Sequence, residues 1–220
     1  MKMKNKRILI GILALILVFG MTGTKAFAQE HKHNPFDVLV GLNWGFGVTP
    51  NFFGLFGHIA NGEIPKGSYA FTFDFGATGD FYILYWLSVN SGILLHSGFY
   101  AFFDNVEVSP DLKFTDIMSL PLYMTIPITM HFNIPRVEWL YMGTGVNLNI
   151  PLYDFLSPLN GGDTKVKFFV GLPIDLGFDF MKRKGGMRLF FRVTPEFHEK
   201  GIPVPIGLVW QIWNWKVFGK

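Results

Sequence analysis

Between residues 118 and 134, in the stretch MSLPLYMTIPITMHFNI, apolar side chains fall on every second position: Met118, Leu120, Leu122, Met124, Ile126, Ile128, Met130 and Phe132. The positions between them, Ser119, Pro121, Tyr123, Thr125, Pro127, Thr129, His131 and Asn133, hold no aliphatic residue. A helix would scatter both sets around its circumference, whereas a strand puts one on each face, so the alternation predicts a strand. The period recurs. Phe36, Val38, Val40, Leu42, Trp44, Phe46 and Val48 alternate with Asp37, Gly41, Asn43, Gly45 and Gly47. From residue 138 to 153, Leu140, Met142, Thr144, Val146, Leu148, Ile150 and Leu152 alternate with Tyr141, Gly143, Gly145, Asn147, Asn149, Pro151 and Tyr153. From 165 to 180, Val166, Phe168, Val170, Leu172, Ile174, Leu176, Phe178 and Phe180 stand against Lys167, Gly171, Pro173, Asp175, Gly177 and Asp179. Weaker versions over 68–79, 85–101, 187–198 and 204–216 bring the expected strands to eight.

The polar parity is too rich in Gly, Asn, Asp, Thr and Arg to form a core, which argues against a soluble lipocalin-like barrel. The apolar parity runs unbroken for longer than the roughly 9 to 11 residues that cross a bilayer, so it is expected to face lipid. An open sheet leaves edge amides unpaired in hydrocarbon, and the sheet must therefore close. The expectation is an all-β, closed, eight-stranded antiparallel transmembrane barrel built as an up-and-down meander over residues 36–216. Long connections (50–68, 102–117, 154–164, 199–205) alternate with short ones (79–84, 133–138, 182–185), which predicts both termini on the periplasmic side and long loops outside. Trp86, Trp139, Trp213 and Trp215 all fall at the expected periplasmic rim, where an interface favours tryptophan. The aromatic-rich NFFGLFGHI of the first long connection could fold over the mouth, rest in the lipopolysaccharide interface or grip an apolar ligand.

The first 28 residues read as a secretory signal helix: a basic start (Lys2, Lys4, Lys6, Arg7), an apolar stretch from Ile8, and AFA before Gln29. Cleavage there changes the charge. Five basic residues and no acidic one are lost, so 19 Lys+Arg against 16 Asp+Glu become 14 against 16, and the net charge turns from +3 to −2. A nucleic-acid partner is thereby dropped. With no cysteine the chain has neither a disulfide framework nor a lipoprotein anchor. Residues 29–35 form an expected mobile tail. His31 and His33 could chelate copper or nickel beside a free amine, but a polar tail is the simpler reading, and no metal or other cofactor is expected.

Over residues 36–216 the chain resembles the small eight-stranded outer-membrane barrels of the OmpA-barrel, OmpX and OmpW type. The resemblance rests on this architecture and on the last strand, PIGLVWQIW, where Gly207, Trp210 and Ile212 look like the signal read by the barrel-assembly machinery. The chain ends in Lys220 rather than an aromatic, with Phe218 the nearest candidate. The resemblance implies the outer membrane of a diderm bacterium, contact with its lipid and lipopolysaccharide, and a monomer.

Folding residues 175–192 into a hairpin centred on Arg183 and Lys184 sets Asp179 opposite Arg188 and Asp175 opposite Arg192, all on the inward parity. In so narrow a lumen each charge needs a partner, so the four read as a salt-bridge plug rather than a gated pore. No catalytic site is expected. His96 and Ser97 are adjacent and so fall on opposite faces of a strand, and His198 with Glu196 has no evident nucleophile. An integral barrel without catalysis, structural or a narrow conduit for small apolar molecules, is thus set against a lipid A-modifying enzyme. The prolines remain. If the amides of the fourth strand's inward set point at the fifth strand, Pro121, Pro127 and Pro151 weaken one seam. If they do not, Pro151 and Pro173 share the next. Either case suggests a lateral opening in the wall.

Overall fold

A computed structural model describes residues 34–50, 52–61, 66–103, 118–134, 137–156, 167–180 and 186–219. The expected signal segment (1–28), His31 and His33, and residues 181–185 between the expected hairpin strands lie outside the described residues.

Period-two alternation is realised as a closed antiparallel barrel of eight strands in sequential order. They are β1 (Val38–Val48), β2 (Ser68–Leu84), β3 (Leu87–Phe102), β4 (Met118–Ser119 and Pro121–Ile134), β5 (Val137–Asp154), β6 (Phe169–Gly171 and Ile174–Asp179), β7 (Arg188–Val193 and Glu196–Phe197) and β8 (Ile206–Phe218). Each pairs with its sequence neighbour, and β1 closes on β8 from Val38↔Phe218 to Val48↔Ile206. One short helix, α1 (Phe52–Ala60), stands in the first long connection. Both ends of the barrel chain leave at the short-turn rim, where Lys216 Nζ sits 2.9 Å from Asp37 Oδ1.

The apolar parity lies on the outside and the polar parity is buried. In β1 every residue of the Val38, Val40, Leu42 series is partly or largely exposed, while Leu39, Gly41, Asn43, Gly45 and Gly47 are buried. Inward Gly92 and Gly145 are required by close approach. A Cβ on Gly92 would strike the backbone of Ala77 and Thr78, and one on Gly145 that of Ile128 and Thr129. Such positions let strands bend around a narrow barrel.

Two expectations are corrected. Residues 79–84 are not a connection: β2 continues through Asp80 and Tyr82 to Leu84 and turns in two residues, Tyr85 and Trp86. Tyr153, expected inward, is 49% exposed. The register steps from Leu122↔Tyr153 to Tyr123↔Pro151, so Leu152 is an extra residue on β5. That bulge turns Tyr153 out and Asp154 in, where Asp154 Oδ1 accepts from the Leu120 amide at 3.2 Å.

The prolines divide between two seams. The β3–β4 ladder runs from Leu87↔Phe132 to Ser91↔Ile128, stops, and resumes from Leu94↔Thr125 to Ser97↔Leu122. The ladder stops again after Ser97↔Leu122 and resumes at Tyr100↔Ser119 and Ala101↔Met118, so its two gaps fall on Pro127 and Pro121, whereas β4–β5 pairs straight through Pro127↔Asn147. Pro121 and Pro127 therefore lack amides towards β3, which excludes the case that sets them against β5 with Pro151. The β5–β6 ladder breaks between Thr144↔Ile174 and Asn147↔Gly171, around Pro173. Strand alternation turns Pro151 to that same side. None of these three interior breaks is wider than one missing N–H removes, and Gly145 still donates to the Pro173 carbonyl at 3.3 Å. No wider lateral opening is present among the described residues. Pro127→Thr is expected to restore the bond to β3 and to stabilise the barrel by about 0.5–1.5 kcal/mol. Protection of the new residue-127 amide from hydrogen exchange would report it, and an unprotected amide would refute it.

Candidate functional site

Because the inward parity is polar on every strand, closing the sheet brings these side chains into one lumen. Its short-turn half is organised by Arg188, which is 0% exposed. Its guanidinium donates from Nη1 to Asp80 and from Nη2 to the Tyr82 hydroxyl, from Nε to Asp179 Oδ2 at 3.2 Å, and from Nη1 to Gln211 Oε1 at 3.3 Å. The Tyr141 ring lies against it, 5.0 Å from the guanidinium carbon. Asp80 also accepts from Asn90 Nδ2 at 3.0 Å and meets His131 Nδ1 at 3.1 Å. Asn133 donates to Asp179 at 3.1 Å. Thr78 Oγ1 gathers donors from Asn43, Asn90 and Gln211. This one network thus draws a side chain from every strand of the barrel.

Higher up, Arg192 holds Asp175 through two parallel bonds of 2.7 and 2.8 Å. The hairpin register aligns both pairs, with Asp179↔Arg188 and Asp175↔Arg192 as direct cross-strand partners. Between the two levels Tyr141, Phe190 and Val209 form an apolar cluster inside the barrel. Above it His96 Nδ1 lies 2.7 Å from Asp74 Oδ1, and its Nε2 lies 2.6 Å from the Tyr100 hydroxyl, which donates to Glu196 at 2.9 Å. His198 caps the group. Its ring stacks on Phe169 at 3.9 Å, with Tyr100 at 4.8 Å and Phe102 at 5.3 Å, and its Nε2 is 3.4 Å from Glu196 Oε2.

One small gap in the lumen is bordered by Asp74, His96, Asn147 and Arg192, and another, lower, by Asn43, Asp74, Pro127 and Arg192. Neither has room for more than about one water molecule. The oxygens Asn43 Oδ1 and Asn147 Oδ1 have no protein partner there.

The Asp74, His96, Tyr100 line has the order of an acid, a base and a hydroxyl. Tyr100 is fully buried and its hydroxyl donates to Glu196. Ser97 points out of the barrel and donates to the Pro121 carbonyl at 3.0 Å. Among the described residues no group of three or more His, Cys, Asp or Glu is placed to hold a metal ion.

Asp80, Asp74 and Tyr100 are the partners that sequence reasoning missed. Parity could have found the first two, since both share the inward set of β2, but nothing in the sequence says which strand across the lumen they meet. No family model matches the chain, and no curated protein matches it either.

Proposed function

We propose that the chain is an integral barrel of an outer membrane, non-catalytic, with a plugged lumen and a structural or surface-contact role. One observation carries the reading: the polarity of the closed barrel is inverted. Phenylalanine, isoleucine and leucine stand exposed around the outside, while an arginine and two aspartates are sealed within. A barrel in water would bury its apolar face, and a lipid solvent removes that demand. The length of the strands agrees, with 17 residues in β2, 16 in β3 and 18 in β5 against roughly 9 to 11 needed to cross. Aromatics at the short-turn rim also agree, Trp86 stacking on Phe132 and Trp139 on Phe178.

The filled lumen favours the structural role over the conduit, because an apolar molecule would have to pass two ion-paired levels. The expected result is a protein that stays with the membrane pellet after alkaline washing and migrates faster unheated than boiled. In planar bilayers it should show no sustained conductance. Recovery in the soluble fraction would refute the membrane placement, and long-lived conductance steps would refute the plug.

A further inference from the structure

Helix α1, in the first long connection, does not lie over the barrel mouth. From Thr49, whose amide bonds to the Ala70 carbonyl, the chain enters α1 and packs against the outside of the wall. Leu55 is fully buried on Ala101, Phe103 and Met118, and Phe52 stacks on Phe71 at 5.8 Å and meets Phe99 edge-on at 6.0 Å. All these wall residues belong to the outward parity, since the ladder pairs Phe71 with Phe99 and Ala101 with Met118. Met118 is thus outward, as its parity predicts, yet buried beneath a helix. The opposite side of α1 carries Phe53, at 73% the most exposed large apolar side chain among the described residues. Its nine residues, FFGLFGHIA, include no Asp, Glu, Lys or Arg.

We propose that α1 is an interfacial anchor, lying along the boundary between lipid headgroups and acyl chains with Phe53 inserted. The occupant of its outer face is the bilayer itself. A ledge facing water would leave an unprotected phenylalanine and no charge to solvate it. A ledge at the bilayer surface has its apolar side met by lipid, as surface-lying amphipathic helices do. Continuity supports the choice of lipid: Phe71, under the helix, touches Phe73 at 4.8 Å, and Phe73 and Phe75 continue the exposed apolar wall. The inference rests on the membrane reading above and extends it to a segment that is not a strand.

The chain has no cysteine, so a single introduced thiol carries a spin label unambiguously. Phe53→Cys, Ile93→Cys on the outer wall and Lys200→Cys on a long-side connection would be refolded separately into phosphatidylcholine/phosphatidylglycerol vesicles. Collision with oxygen, which concentrates in lipid, would be compared with collision with a water-soluble nickel chelate, using only protein that migrates as folded barrel. At position 53 the expected ratio favours oxygen and falls between those of positions 93 and 200. Chelate access at 53 equal to that at 200, with 93 protected, would overturn the anchor and leave the membrane reading standing. Chelate access at 93 as well would overturn both. Exclusion of both reagents at 53 would mean that another protein copy covers α1, and would also overturn it.

Discussion

Replacing Arg188 with methionine is expected to cost the folded barrel about 3–5 kcal/mol, the loss typical of a buried ion pair deprived of one partner. The guanidinium bonds both Asp80 and Asp179, and all three side chains are sealed from solvent. Methionine fills much of the volume but leaves two buried carboxylates without that cation. Urea unfolding of reconstituted protein, followed by tryptophan fluorescence and gel migration, would measure the loss. Changing Asp80 and Asp179 to asparagine in the same chain should recover most of it, because neutral groups need no counter-ion. A loss below about 1 kcal/mol would resemble an exposed pair and would mean that water reaches the lock, removing the basis for a plugged lumen.

The Asp179–Arg188 pair was legible because a single hairpin fixes which residues face each other. Asp80 was not, although it is held by the same arginine. It lies 108 residues away in sequence, and only the stagger of the closed barrel brings it across. Parity likewise gave the faces of most strands but failed at Tyr153, where a bulge adds a residue without disturbing the run of apolar side chains. The end of β2 was missed for a related reason. Gly79 and Asp80 look like turn residues, and only the finished lumen shows that Asp80 is needed inside. Within the first long connection, α1 is signalled only by Phe52, Leu55, Phe56 and Ile59, which recur at helical spacing over a run too short to outweigh the flanking Gly and Pro. Its placement on the outer wall was beyond reach, since that depends on Ala101 and Met118 meeting at the β3–β4 rim.

Placing an arginine on the outer wall should separate a membrane protein from a soluble one. Ile128, half-exposed and outward in the middle of β4, pairs with Ser91 on one side and Val146 on the other. In a bilayer, Ile128→Arg is expected to destabilise by about 2–4 kcal/mol, the cost of a basic side chain near the midplane of a lipid-facing wall. Val217→Arg, near the end of β8 at the short-turn rim, should cost only about 0–1 kcal/mol, because the side chain reaches the interface. On a barrel surrounded by water both changes would be surface substitutions and should fall within about 0.5 kcal/mol of the parent. The gradient between the two positions is therefore the informative quantity. Urea titration of each variant in thin phosphatidylcholine vesicles would supply it. Equal, small effects at both positions would place the apolar wall against something other than hydrocarbon, and the inverted polarity of this barrel would then need another solvent to explain it.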